Sequence, residues 1–287
     1  MPAWIKIILI VPPIAGFLFG YQAWTQSAYM GTLRMTYVDV GQGDATIIQT
    51  PYHQNILIDA GPDRSIISAL GKSLDFGDRV IDLAIITHPQ ADHMGGMLTI
   101  LKRYHVNHII TSDMPYQSTM WQELVAYIQD QQIPVSFITT EDQIQLADDL
   151  KLKFLWPDIH KIDVQTIQET NDGCVITELV FGQNKFLSTC DASSAIEKQL
   201  AQGLLLEDVD VLKVGHHGSK TATAPEFLAI VKPEVAVIMV GRDNTYGHPH
   251  SQTISALAQA GAAVYRTDEM GDIHLVSDGT NYAVSAR

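Results

Sequence analysis

Positive charge is scarce in this chain. It has 18 Lys and Arg against 32 Asp and Glu, a formal net charge of −14. Domains that coat nucleic acid without specificity are usually basic, so this balance argues against that role. It leaves room for a nucleic-acid enzyme, because bound divalent cations offset local carboxylates. Aromatic residues are 8% of the chain and form no stripe with basic residues, the pattern that single-strand binders use. The two cysteines, Cys174 and Cys190, make no disulfide framework. They flank a predicted hairpin, so one bridge is open to them; the plainer reading is two small core residues. The turn Gly41-Gln42-Gly43-Asp44 lacks the following Lys-Ser/Thr of a phosphate loop. No linker, composition shift or short-period repeat follows Thr32. What is present is 287 residues with 46% hydrophobic content, enough to bury a sizeable core.

Residues 5–24 are nearly all apolar, broken only by Lys6, Tyr21 and Gln22. That is about the span of a bilayer core. Pro12-Pro13 is tolerated in membrane helices, and Trp4 and Trp24 stand where interfacial aromatics stand. Residues 1–31 are therefore expected to be a membrane anchor. A cleaved signal peptide is the alternative, opposed by a thin charged region and no clear small-x-small cleavage site; a buried core helix is a third reading. The remaining domain, residues 32–287, is expected on the extracytoplasmic side, or secreted if the segment is cleaved. Lys6 and Arg34 flank the segment symmetrically and specify topology weakly.

From Thr32 strands alternate with helices. Residues 33–40, 45–49 and 55–58 read as strands, 66–74 as a helix and 82–87 as a continuous apolar strand of the buried sort. A helix is expected over 94–104, strands over 107–111 and 134–138, and an amphipathic helix over 117–131. A strand at 150–156 ends at Pro157, and the polar stretch 160–170 reads as a loop or broken helix. A hairpin joins 174–181 to 185–189 around Gly182-Gln183-Asn184. Helices follow at 192–202, 225–231 and 252–260, strands at 210–214 and 234–240, and short strands close the chain. Early hairpins and later strand–helix alternation imply stacked sheets covered by helices. Asp44, Asp59, His88, Asp191, His216 and His248 all fall at strand ends, where α/β enzymes place their chemistry.

His88-Pro89-Gln90-Ala91-Asp92-His93 crowds two imidazoles and a carboxylate into a strand-to-helix turn. Imidazole nitrogen and carboxylate oxygen are usual ligands of zinc and similar ions, so His88, Asp92 and His93 are candidate metal ligands. Asp191 ends a strand, as a carboxylate bridging two cations or as a helix N-cap. In Gly215-His216-His217-Gly218-Ser219, adjacent side chains point apart, so one histidine is expected as ligand. His216 is taken as that ligand, and His217 as a residue that orients a neighbour or binds substrate. In the loop from Gly241 to His250, His248 is a candidate general acid or phosphate contact, and Arg242 an anion partner. His53, His105, His108, His160 and His274 have no partner pattern.

These residues resemble a known family. His88-x-x-x-Asp92-His93, Asp191 and His216, in this order, resemble the metallo-beta-lactamase superfamily. Asp39-Val40-Gly41-Gln42-Gly43-Asp44-Ala45, Leu57-Ile58-Asp59-Ala60-Gly61, Gly215-His216-His217-Gly218-Ser219, Gly247-His248-Pro249-His250 and Tyr265-Arg266-Thr267-Asp268 resemble its branch at the end of the competence DNA-uptake protein ComEC. The resemblance covers about residues 33–279. It implies a four-layer αββα fold and metal-dependent hydrolysis with one or two divalent ions, Zn or Mn. Asp92, His93, Asp191 and His216 would hold the better metal and His88 the weaker. Asp92 and His248 would be catalytic; Asn171, His217, Ser219 and His248 would bind substrate. The implied reaction is attack of a metal-bound hydroxide on phosphorus, with single-stranded or linear DNA as substrate and a DNA-uptake channel as partner.

Two departures bear on this. Gln90 stands at the superfamily's usual second histidine, and Asn171-Asp172 where a further histidine precedes the hairpin. One metal position loses two imidazoles, which suits one tight and one weak site, or an oxygen-tolerant ion such as manganese. Two other readings compete. One is an esterase on another phosphodiester, such as phosphorylcholine on cell-wall polymers, which the acidic balance favours. The other is a non-catalytic binding module. A positive groove lined by Lys213, Lys220 or Arg242 would favour a polyanion.

Overall fold

The computed structural model describes residues 31–113, 116, 118–140, 142–158, 170–203 and 206–286. The expected anchor and the polar stretch 160–169 lie outside the described residues. Among the described residues, no helix is long and apolar enough to cross a membrane.

In chain order the strands are β1 (Leu33–Tyr37), β2 (Thr46–Gln49), β3 (Asn55–Ile58), β4 (Val80–Ile81), β5 (Leu83–Ile86), β6 (His105–Val106), β7 (Ile109–Thr111) and β8 (Val135–Phe137). They continue as β9 (Gln143–Ala147), β10 (Leu150–Trp156), β11 (Ile176–Phe181), β12 (Asn184–Ser188), β13 (Val211–Lys213), β14 (Val235–Ile238), β15 (Ala263–Arg266), β16 (Ile273–Ser277) and β17 (Tyr282–Ala286). One sheet has the order β17-β16-β1-β2-β3-β5-β7-β8, the other β15-β14-β13-β12-β11-β10-β9, and β4 pairs with β6.

Period-two alternation sorts these strands between three cores. Ile56 and Ile58 of β3 and Leu83 and Ile85 of β5 face a central core, shared with Leu179, Phe186, Val211 and Val237 of the second sheet. The intervening Leu57, Ala84 and Ile86 face helices α1 (Ile66–Ser73), α3 (Met97–Leu101) and α4 (Thr119–Asp130). On the far side Leu187, Leu212, Ala236 and Ile238 face α5 (Ser194–Gln202), α6 (Pro225–Val231) and α7 (Ser251–Gln259). Three cores between four layers give the αββα sandwich. They also explain why the inner strands read as unbroken apolar runs, since both faces are buried.

Two local departures from the sequence-based expectation have physical causes. The helix expected over 94–104 is split into α2 (Ala91–Met94) and α3. Neighbouring turns take its hydrogen bonds: Asp44 N donates to Asp92 O (3.1 Å), Ala60 N to His93 O (2.6 Å), and Gly96 N to Gly61 O (3.0 Å). Gly43 permits this stitching, because a Cβ there would collide with the Asp92 carbonyl. Strand β9, not anticipated from sequence, pairs with β10 at the sheet edge, where its glutamines face solvent. The thiols, read most simply as small core residues, instead form a disulfide, Cys174–Cys190.

Candidate metal centre

The site lies where strand ends converge. Asp44 precedes β2, Asp59 follows β3, His88 and His93 follow β5, Asp191 follows β12, and His216 and His217 follow β13. One ligand atom from each of Asp92, His93, Asp191 and His217 lies within 4.8 Å of the others. His93 Nε2 is 3.4 Å from Asp191 Oδ1. His217 Nε2 is 3.3 Å from Asp92 Oδ2 and 3.5 Å from Asp191 Oδ2.

A second layer orients these donors. Asp59 Oδ2 lies 2.7 Å from His93 Nδ1, and Asp59 accepts bonds from both Thr87 N (2.8 Å) and Thr87 Oγ1 (2.7 Å). His217 Nδ1 points at Met239 O (2.9 Å) and has Asp44 Oδ1 at 3.3 Å. In both rings the flanking acceptor at Nδ1 turns Nε2 inward. The inner atoms are left without partners: His93 Nε2, His88 Nε2 and Asp191 Oδ1 are buried with no hydrogen bond. Buried polar groups are seldom orphaned, and imidazole nitrogens facing carboxylate oxygens are a donor set for a divalent ion. The residues fit such an ion.

Electrostatics agree. Burial alone would lower the pKa of His217, yet Asp191 and Asp44 push it up to about 10. Burial opposes charge on His93 too, but Asp191 and Asp59 hold its pKa well above the ordinary value. Burial would raise the Asp191 carboxyl, but His217, His93 and Lys213 drive it well below the usual carboxylate range. A surplus of buried carboxylates is thus asking for positive charge. His88 differs: burial and the neighbouring His93 push it down to about 3. Its ring centroid is 4.1 Å from that of His93.

His216 and His217 share a left-handed backbone, with φ of 50° and 52°. His217 is buried among the carboxylates, whereas the His216 side chain is 30% exposed, its Nε2 3.9 Å from Asp191 Oδ2. The structure thus gathers Asp92, His93 and Asp191 with His217, and sets His216 at the rim. His248 stands beside His216, ring centroids 5.7 Å apart. Burial, then His216 and His217, push its pKa down to about 4. Gln90 Nε2 donates to Asn171 Oδ1, so the two positions where imidazoles are replaced touch each other. The Ser219 hydroxyl bonds Thr221 Oγ1 at 2.9 Å.

Lys213 lines no surface groove. It is buried, ion-paired with Asp44, and donates to Cys190 O at 3.1 Å. A lysine among Val211, Leu212 and Val214 is the signal for this, since a charge on a buried strand needs a partner.

Comparison with known proteins agrees with this geometry. Residues 38–242 match the model of the metallo-beta-lactamase superfamily. The chain is similar to ComE operon protein 3 of Bacillus subtilis (26% identical, over 82% of this chain and 32% of that protein). It is similar to Recombination protein 2 of Haemophilus influenzae (32% identical, 85% and 29%). It is also similar to Competence protein ComA of Neisseria gonorrhoeae (28% identical, 83% and 31%). The chain thus spans about a third of the length of these relatives. Among solved structures, the metallo-beta-lactamase fold protein YhfI of Bacillus subtilis matches with a TM-score of 0.53 and 12% identity, over 82% of this chain and 95% of that one. The chain belongs to the metallo-beta-lactamase superfamily, as a metal-dependent hydrolase with competence-protein relatives.

Proposed function

We propose that this protein is a phosphodiesterase acting on DNA in a competence-like uptake setting. The observation that carries the reading is the convergence of Asp92, His93, Asp191 and His217 on one point, with His93 Nε2 and Asp191 Oδ1 buried there and unpartnered. Asp92, His93, Asp191 and His217 would hold one divalent ion, zinc or manganese, and His88 would serve a weaker second position. His216 sits at the rim, able to join the ligand set or meet substrate. The chemistry such an ion supplies is Lewis acidity, which acidifies water and offsets charge on phosphoryl oxygens.

The chain's own residues do the rest. Asp59 and Met239 O fix the two imidazoles, so the inner donors need little reorganisation. Asp92, at the mouth, orients the attacking water by accepting its hydrogen bond. His248, neutral at pH 7, donates a hydrogen bond to a phosphoryl oxygen and, with its pKa so low, is not the source of the leaving group's proton. Asn171, His217 and Ser219 border the substrate. In balance, a water oxygen bonds phosphorus, one ester P–O bond breaks, and the proton that the water gives up to Asp92 passes on to the departing oxygen. The apolar stretch 5–24 supports membrane anchoring, and the competence-type relatives support placing the hydrolase domain outside the cytoplasm, next to an uptake channel.

A second reading, an esterase for phosphorylcholine on cell-wall polymers, is favoured by the net charge of −14. The test is elemental analysis of the purified chain, with a panel of linear DNA, RNA and small phosphodiesters. Metal-dependent cleavage of single-stranded DNA, lost in Asp92→Ala, is the expected result. Cleavage of bis-p-nitrophenyl phosphate with none of DNA would transfer the assignment to the esterase. Absent metal with unchanged thermal stability after chelation would leave a binding module.

A further inference from the structure

The loop from Gly241 to His250 carries a feature that the metal chemistry does not need. Tyr246 is 66% exposed, unusual for a large ring at the edge of an active site. Its ring lies on that of His248, with centroids 5.7 Å apart and planes only 24° from parallel. His248 meets His216 edge-on and stands 6.4 Å from His217. A column of rings therefore runs from the buried ligands outward, and its outermost member is an open tyrosine face.

The loop is built to hold that face still. Asn244 Nδ2 donates to Gly241 O (2.8 Å) and His248 O (2.7 Å), and Asn244 Oδ1 accepts from His248 N (3.0 Å). One side chain thus clasps both ends of the segment that bears Tyr246. Arg242, on the same loop, is anchored through Nε to Asp268 O (3.0 Å) and exposed to solvent. A fixed, flat aromatic face on a loop that also carries an exposed guanidinium suits a planar ligand on an anionic backbone. A quaternary ammonium group is better served by an enclosing cage than by one open ring.

We infer that Tyr246 is a stacking subsite for a nucleobase of single-stranded DNA, next to the phosphodiester held at the metal centre. The inference rests on the phosphodiesterase reading and adds its substrate form, since a base within a duplex has no free face to offer.

The test uses the manganese-loaded full chain and a single-stranded oligonucleotide containing 2-aminopurine, with phosphorothioate linkages to slow cleavage. Binding should quench the fluorescence. Tyr246→Ala should weaken binding roughly 5- to 150-fold, the range of a lost base–aromatic stack, and Tyr246→Phe should retain it. An oligonucleotide abasic at the probed position should bind wild type and Tyr246→Ala alike. Equal affinity of wild type and Tyr246→Ala for the normal oligonucleotide overturns the inference. So does no binding, or a Tyr246→Ala defect confined to choline phosphate. A chain that stacks the probe yet never cleaves DNA keeps the subsite and sinks the nuclease. A chain that cleaves DNA with Tyr246→Ala unchanged sinks the subsite alone.

Discussion

The ammonium of Lys213 is sealed against the carboxylate of Asp44, the two residues being 2% and 4% exposed. Asp44 also faces His217 Nδ1, and Lys213 Nζ lies 4.0 Å from Asp191 Oδ1. The pair stands directly behind the proposed ligands. Removing one partner strands a buried charge, which typically costs about 3–5 kcal/mol. Lys213→Met should therefore destabilise the fold by that order in urea titrations. Lys213→Met combined with Asp44→Asn should recover a good part of the loss, because the neutral pair leaves no stranded charge. Additive losses would show that the two groups are not coupled.

Asp59 should matter for the metal without touching it. It bonds His93 Nδ1 and is itself held by Thr87. Loss of such a carboxylate partner typically lowers metal affinity about 10- to 100-fold. Asp59→Asn should show that loss in competition with a coloured chelator, with the fold retained by circular dichroism. Unchanged affinity would remove Asp59 from the site's architecture.

Much of this was readable in the chain. The apolar run of β5 announces a strand buried on both faces, alternation with helices implies stacked sheets under helices, and the four-layer αββα order is what the family resemblance implied. The crowding at His88, Asp92 and His93 announces a metal turn. What sequence leaves open is local backbone. Adjacent side chains at His216 and His217 do diverge, but which of them turns inward depends on a left-handed backbone at both, which sequence does not show. Strand β9 alternates, with Ile144 and Leu146 against the central core, but it is a five-residue edge strand whose inward residues are only half-buried, a faint signal in sequence. Lys213, among Val211, Leu212 and Val214, signals that it needs a partner, but sequence does not say that the partner is Asp44, 169 positions earlier.

The disulfide offers a third test. Cys174 N donates to Asn171 O (3.2 Å), and Cys190 O accepts from His216 N (3.0 Å). The bridge thus ties the Asn171 turn to the turn that delivers Asp191. Its ends are 16 residues apart, and a loop of that size contributes about 3 kcal/mol in the chain-entropy account. A Cys174→Ala/Cys190→Ala variant should lose stability of that order, and reductant should then have no further effect. Wild type indifferent to reductant would mean that the bridge contributes nothing in solution.

Glu197 sets a pH dependence away from the metal. Its carboxylate, on α5, is buried and accepts from Ala224 N at 2.7 Å. Burial pushes its pKa from 4.5 up to about 7, with the Ala224 and Thr223 amides opposing. Because the folded value is the higher, the folded chain binds this proton more tightly than the unfolded chain does. The stabilisation is complete below the unfolded pKa and fades as pH rises through the folded one, by at most about 3 kcal/mol. Glu197→Gln keeps an acceptor for Ala224 N and removes the titration. Urea midpoints taken from about pH 5 to about pH 8 should therefore fall more steeply for wild type than for Glu197→Gln. Parallel curves would show that the buried carboxyl keeps an ordinary pKa, through hydration or a bonding pattern in which the two amides outweigh burial.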